Sequence, residues 1–153
     1  GQVNPAFEHF MSNLIRQKLI VAIDSLTSNR KEGARKFTLF LPHGENHELG
    51  LLFANYMLRA RGHNTIYLGQ NLPHTELEPV IAMQKTDYLL TSVTSIPENF
   101  SVQAFINDLG ARYKNVKIAI TGYQISSDNS IVAPKNVKFI RSIQEMLDFI
   151  EQV

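Results

Sequence analysis

The run Leu41-Pro42-His43-Gly44-Glu45-Asn46-His47-Glu48-Leu49-Gly50 brings two imidazoles and two carboxylates into ten residues. That cluster is compatible with several chemistries. Zinc hydrolysis needs about three N or O ligands, which His43, His47 and a carboxylate would supply. His43, however, lies between Pro42 and Gly44 and reads as a turn residue, so it does not share a helix face with His47 as an H-E-x-x-H pair would. A phosphate cradle needs a run of glycines with a following Lys, and Gly44 and Gly50 lack that spacing. A further reading is a single loop histidine offering a ring nitrogen to a large metal-bearing cofactor. Imidazole suits a borderline transition metal and binds as the neutral base. The plain alternative is a solvated loop histidine with no ligand.

The elements that must position this run follow from periodicity. Asn4-Pro5 is a helix start, because Asn caps and Pro fits the first helical position. Phe7, Phe10, Met11, Leu14, Ile15, Leu19, Ala22, Ile23 and Leu26 then form one apolar stripe over about six turns. Ser12, Asn13, Arg16, Gln17 and Asp24 fall on the opposite side, and Asn29 to Gly33 is a charged connector. Strands are expected at 37–41, 65–68, 88–91, 116–120 and 137–140, with helices at 47–60, 73–84, 100–113 and 142–153. After Gly122-Tyr123 the run Ser126 to Ser130 has loop chemistry, and no helix is expected there. Short strands alternating with helices imply a parallel sheet covered on both faces. Right-handed crossovers make this an α/β, flavodoxin-like, doubly wound five-stranded domain. Ligands on such sheets sit beyond the C-terminal strand ends, so 42–50, 91–97 and 121–127 are the segments to read. A phosphoryl-accepting receiver would need an Asp after strand three, where Thr91-Ser92-Val93-Thr94 stands instead.

Composition narrows the field. The 153 residues suit one domain, and 44% hydrophobic with 19% charged residues is ordinary globular protein. A net charge of +1 offers no broad attraction to DNA or to an anionic membrane. Cysteine is absent, which excludes disulfides, Cys-ligated metals and thiol nucleophiles. No apolar run approaches a membrane span, and no secretory leader is visible, so a cytoplasmic protein is expected. The chain starts without Met and almost at once inside a helix pattern; it reads as a piece of a longer protein, with Gly1 as a vector-derived residue. His43, His63 and His74 are expected to face solvent as turn or cap residues. Arg30, Lys31, Arg35 and Lys36 read as a solvated linker.

Glu45-x-His47-x-x-Gly50 resembles the Asp-x-His-x-x-Gly motif of cobalamin-binding domains in methionine synthase, the cobalamin-dependent mutases and MerR-type light-responsive regulators. At the family's distances stand Ser92-Val93-Thr94, where it has Ser-x-Leu, and Gly122-Tyr123, where it has Gly-Gly. The segment Phe7 to Leu19, with Glu8-His9, is similar to the last helix of the bundle that precedes the cobalamin domain in the MerR-type regulators. The resemblance divides the chain into a truncated cap-bundle helix, 1–30, and a cobalamin-binding-like domain, 36–153.

What the resemblance implies is specific. His47 would be the lower axial ligand of cobalt, displacing the cofactor's own dimethylbenzimidazole. Glu45, in the family's Asp position, would fix its tautomer and orientation. Gly50 would let backbone and corrin approach closely. Ser92 would hydrogen-bond the benzimidazole nitrogen, although a structural strand-end hydroxyl is the plain alternative. Gly122 would leave room for the nucleotide tail, and Glu8 and His9 would lie over the upper face. Three departures stand out. Glu45 is a methylene longer than Asp, Thr94 puts a hydroxyl where the family has Leu, and Tyr123 puts a phenol where the benzimidazole slot is expected. The implied protein is a sensor of adenosylcobalamin or methylcobalamin in a transcriptional regulator, not an enzyme. It would be a homo-oligomer that meets DNA only through an upstream domain. Two alternatives stay open: an oligomerisation module that has lost the cofactor, and a corrinoid carrier for a methyltransferase. The Phe and Met stripe is core or an interface for other bundle helices, and left bare it would favour dimerisation.

Overall fold

The computed structural model describes residues 4–26, 31–95, 97 and 99–153. Asn29 and Arg30 of the connector lie outside these residues. Asn4 caps the first helix, α1 (Pro5–Ser25), its side chain accepting from the Ala6 N–H at 2.9 Å. The strands are β1 (Lys36–Pro42), β2 (Asn64–Leu72), β3 (Tyr88–Ser92), β4 (Lys117–Thr121) and β5 (Val137–Phe139). Between them run α2 (Leu49–Ala60), a 3-10 turn (His74–Glu76) with α3 (Glu78–Gln84), α4 (Val102–Arg112) and α5 (Tyr123–Ser127). The closing helix is α6 (Ile143–Gln152). All pairs are parallel, in the order β2-β1-β3-β4-β5. The expected doubly wound architecture is therefore present. The strand order reverses between β1 and β3, which is where such sheets open a ligand crevice.

Alternation along β1 divides the core. Phe37, Leu39 and Leu41 pack with Leu51, Leu58, Met146 and Phe149 beneath α2 and α6. Phe40 points the other way, toward Leu77, Phe105, Ile106 and Leu109 under α3 and α4. Buried on both faces, the central strand reads as one apolar run rather than an alternation.

The structure corrects three expectations. First, residues after Gly122 do form a short helix, α5, because buried Ile125 anchors it to the core and the turn is held by Ser126 N–H to Gly122 C=O at 3.1 Å. Second, the apolar residues of α1 form two rows rather than one stripe, and the Phe and Met row is exposed, as the interface alternative requires. Ile23 is buried and Leu19, Ala22 and Leu26 half-buried, whereas Phe7, Phe10, Met11, Leu14 and Val21 face outward. Of the polar side, Ser12 and Arg16 turn toward the domain, whereas Gln17 and Asp24 are exposed. The periodicity was right, but an inner and an outer row of apolar residues were merged into one.

Third, His63 is buried at 5% exposure and does not face solvent, and His74 is half-buried on Asp108, Nε2 to Oδ2 at 2.6 Å; only His43 is exposed as expected. The Nδ1 of His63 accepts from the Arg35 N–H at 3.1 Å, and its Nε2 is buried without a partner among the described residues. Burial, with Lys31, Arg35 and Arg61 nearby, holds this imidazole below its ordinary value of 6.5. The unfolded chain therefore binds the proton more readily, so stability is full above about pH 6.5 and falls as the pH drops toward the lower native value. Thermal unfolding between about pH 7 and pH 5 should show this slope, and His63→Gln should flatten it.

Candidate corrinoid site

The loop from β1 to α2 is held from three sides. Gly44 has φ +82°, and a Cβ there would come within 2.5 Å of the Pro97 ring, so the turn requires glycine. β2 runs four residues further than expected, with breaks in register against β1 and a left-handed residue at Asn71. This extension grips the loop. The Asn71 side chain accepts from Gly44 N–H at 2.8 Å, the Asn71 N–H donates to Glu45 C=O at 3.3 Å, and Gln70 donates to Asn46 C=O at 2.7 Å.

Glu45 is the hub of the loop and is 1% exposed. Its Oε1 accepts from the His47 N–H at 2.8 Å and meets His47 Nδ1 at 2.7 Å. Its Oε2 accepts from the Thr94 and Ser95 N–H groups at 2.6 and 2.8 Å. Burial pushes this carboxyl up, but the backbone donors of His47, Ser95 and Thr94 outweigh it and hold it below the ordinary carboxylate range. The extra methylene of Glu over Asp thus has a use: the side chain reaches both the His47 turn and the loop after β3. Sequence reading found Glu45 and missed Ser95, since backbone donors leave no residue-type signal.

With Nδ1 on a carboxylate, the His47 ring presents Nε2, which has no partner among the described residues. The His47 side chain is 63% exposed and lines a cavity of 1110 Å³. Ligand sites commonly span about 300–1,000 Å³, so this one has room for a macrocycle. Asn46, Glu48, Gly50 and Phe53 line it from the β1–α2 side, and Ser92, Thr94, Thr121 and Gly122 from the strand ends. Arg141, Ser142 and Ile143 border it at α6, and α1 overhangs it with Glu8, His9, Ser12 and Arg16. Every site residue singled out in the sequence lines this cavity except two. Glu45 lies buried behind His47, and Tyr123 points away.

Tyr123, which by residue type could either fill the slot or point to solvent, is 64% exposed and outside the lining. Turning the chain into α5 at Gly122 carries the ring outward. Tyr123→Ala should change stability by less than about 0.5 kcal/mol and leave ligand affinity unchanged within about twofold, measured by thermal unfolding and by titration. Gly122 also differs from expectation. A Cβ there would stand 2.3 Å from the Val93 carbonyl oxygen, so its bareness serves contact between the β3 and β4 loops rather than open space. At Gly50, by contrast, a Cβ would meet nothing within 4 Å, and the gap opens on the cavity.

Three further cavity residues carry charge: Glu48, already in the 41–50 run, and Arg16 and Arg141. Glu48, 6% exposed, accepts from Arg16 Nε and from the Tyr67 hydroxyl, the latter at 2.7 Å. Burial and then the Glu48 hydrogen bond push the Tyr67 phenol up, and the same carboxylate strengthens the charge on Arg16. Arg141 donates to the Ile125 and Asp128 carbonyls that end α5. No group of three His, Asp or Glu side chains among the described residues could hold a bare metal ion, which removes the zinc reading.

The five-stranded doubly wound sheet is a fold shared with solved structures of other proteins. The chain overlays a monomethylamine corrinoid protein of Methanosarcina barkeri with a TM-score of 0.67 at 18% identity, over 93% of this chain and 68% of that one. A cobalamin-binding protein from Desulfitobacterium hafniense DCB-2 gives 0.60 at 16% identity, over 78% and 58%. In sequence, 102 residues are 32% identical to the HTH-type transcriptional repressor CarA of Myxococcus xanthus, covering 65% of this chain and 35% of the repressor. The chain thus spans about a third of the length of that relative. No protein-family profile matches the chain.

Proposed function

We propose that this chain binds cobalamin as the sensing domain of a transcriptional regulator, with His47 as the lower axial ligand of cobalt. The Glu45–His47 pair carries the reading: a buried carboxylate holds Nδ1 and leaves Nε2 free among the described residues, on a residue that lines a cavity of 1110 Å³. A carboxylate behind the ring fixes its tautomer and raises its basicity, which is what a metal-ligating imidazole needs. When bound, the corrinoid supplies cobalt ligand exchange at its upper face. Glu8 and His9 of α1 would meet that face. Ser92 would hydrogen-bond the displaced benzimidazole, and Gly50 would admit the macrocycle edge.

The regulator role is supported by the similarity to the M. xanthus repressor. A ligand can bias DNA binding only by binding two assembly states unequally. The outer row of α1, with Phe7 at 67% and Phe10 at 64% exposure, is suited to be the surface that changes partner in such a homo-oligomer. DNA contact is assigned to a separate domain. No helix among the described residues is long and apolar enough to cross a membrane. Overlap along 93% of the chain with a corrinoid protein keeps the carrier role as the second reading; there the partner would be a methyltransferase rather than DNA.

The test is to mix the protein with adenosylcobalamin or hydroxocobalamin and pass it over gel filtration. Colour co-eluting with the chain, with the visible spectrum of a corrinoid whose benzimidazole is replaced by imidazole, is expected. A corrinoid that elutes apart from the chain would refute the reading and favour the cofactor-free oligomerisation module.

A further inference from the structure

The ion pair beneath α1 carries an inference that deepens the cobalamin reading and rests on it for its purpose. Glu48 is the residue after His47, and it is also the N-cap of α2, with its carbonyl accepting from Leu52 N–H at 2.8 Å. It offers no side-chain cap to that helix. Its carboxylate is committed elsewhere, one oxygen to Arg16 of α1 and the other to Tyr67 of β2. A buried carboxylate left with a single donor is strongly unfavourable, so Glu48 is satisfied only while α1 is seated. Apart from that pair, α1 is held to α2 by apolar packing. Its inward apolar contacts come from Leu19, Ala22, Ile23 and Leu26, all C-terminal to Arg16. N-terminal to Arg16 the helix overhangs the cavity, and no side-chain hydrogen bond joins it to the domain among the described residues.

We propose that Arg16, Glu48 and Tyr67 form a latch that seats α1 over the cavity and transmits its position to the turn carrying His47. They are positioning residues: none is proposed to touch cobalt. The coupling is reciprocal, as any linkage between two sites must be. Whatever displaces α1, whether a macrocycle under Glu8 and His9 or a partner on the outer row, withdraws the guanidinium from Glu48. The residue next to His47 then loses one of its two side-chain anchors, while Glu45 still holds the ring, so the imidazole shifts rather than comes free.

The test uses the protein without corrinoid, so it stands apart from whether the chain binds one. Arg16→Met keeps length and apolar contact but removes the donor. It is expected to speed amide exchange in α1 by about tenfold or more and to shift the ring resonances of His47. Arg16→Lys should restore both in part. Tyr67→Phe, which loses one hydroxyl, should move the His47 resonances in the same direction by less and keeps the test alive if Arg16→Met fails to fold. Faster exchange in α1 with unmoved His47 resonances would overturn the coupling and leave a mere tether. Unmoved exchange would overturn the latch itself. A wild-type chain that never takes up cobalamin would instead defeat the preceding reading and leave these results standing.

Discussion

His47→Ala is expected to lower the affinity for adenosylcobalamin by at least about 100-fold while leaving the thermal unfolding of the unliganded chain nearly unchanged. Losing only the hydrogen-bond partner behind a metal-bound histidine typically costs about 10–100-fold, and here the ligand itself goes. Stability is spared because the ring is 63% exposed and its one side-chain bond is to Glu45, which keeps the donors from the His47, Thr94 and Ser95 backbones. The visible spectrum should revert to that of free cobalamin, with benzimidazole back on cobalt. Isothermal titration and the spectrum together check this.

Gly122→Ala should be the most damaging single methyl in the chain. The residue has φ +111° and ψ 170°, a region open in practice only to glycine. The added Cβ would also stand 2.3 Å from the Val93 oxygen and 2.6 Å from its carbon and nitrogen, all backbone atoms without a rotamer to yield. Val93 is tied in turn to Thr121 C=O at 2.8 Å and to the Gln124 N–H at 3.1 Å. A destabilisation of about 3 kcal/mol or more is expected, a fall of roughly 6–12 °C in Tm for a chain of this size. Gly50→Ala is the matched control. Its Cβ meets nothing and it sits in α2, so its Tm should hold or rise. Equal Tm values for the two variants would contradict the packing account of Gly122.

The sheet was legible because β1, β3 and β4 are buried on both faces and so leave mostly apolar runs such as Phe37 to Leu41, broken only by Thr38. β2, an edge strand, was cut short at Leu68, since Gly69-Gln70-Asn71 looks like loop and is a strand with broken register. That error hid the support for the His47 loop. His47, Ser92 and Gly122 were marked by the resemblance to the cobalamin-binding motif at the family's distances, and all three line the cavity; the close approach of Gly122 to the Val93 backbone has no signature in residue type. For Tyr123 residue type left both a plug and a solvent-facing ring open, because side-chain size says nothing of the turn that aims it. The pairing of Arg16 with Glu48 was not legible for a third reason: Arg16 reads as part of a solvated helix face, and only the fold brings it into contact with a carboxylate 32 residues further along.

The most direct measurement is electron paramagnetic resonance of the complex with cobalamin in its cobalt(II) form, made once with ordinary protein and once with protein carrying ¹⁵N-histidine. The unpaired electron couples to the axial nitrogen, so ligation by His47 predicts that the triplet splitting becomes a doublet on labelling and that His47→Ala abolishes the change. Triplets that persist in the labelled protein would mean that benzimidazole still holds the metal, and the account of Glu45 and His47 as a cobalt-binding pair would be wrong.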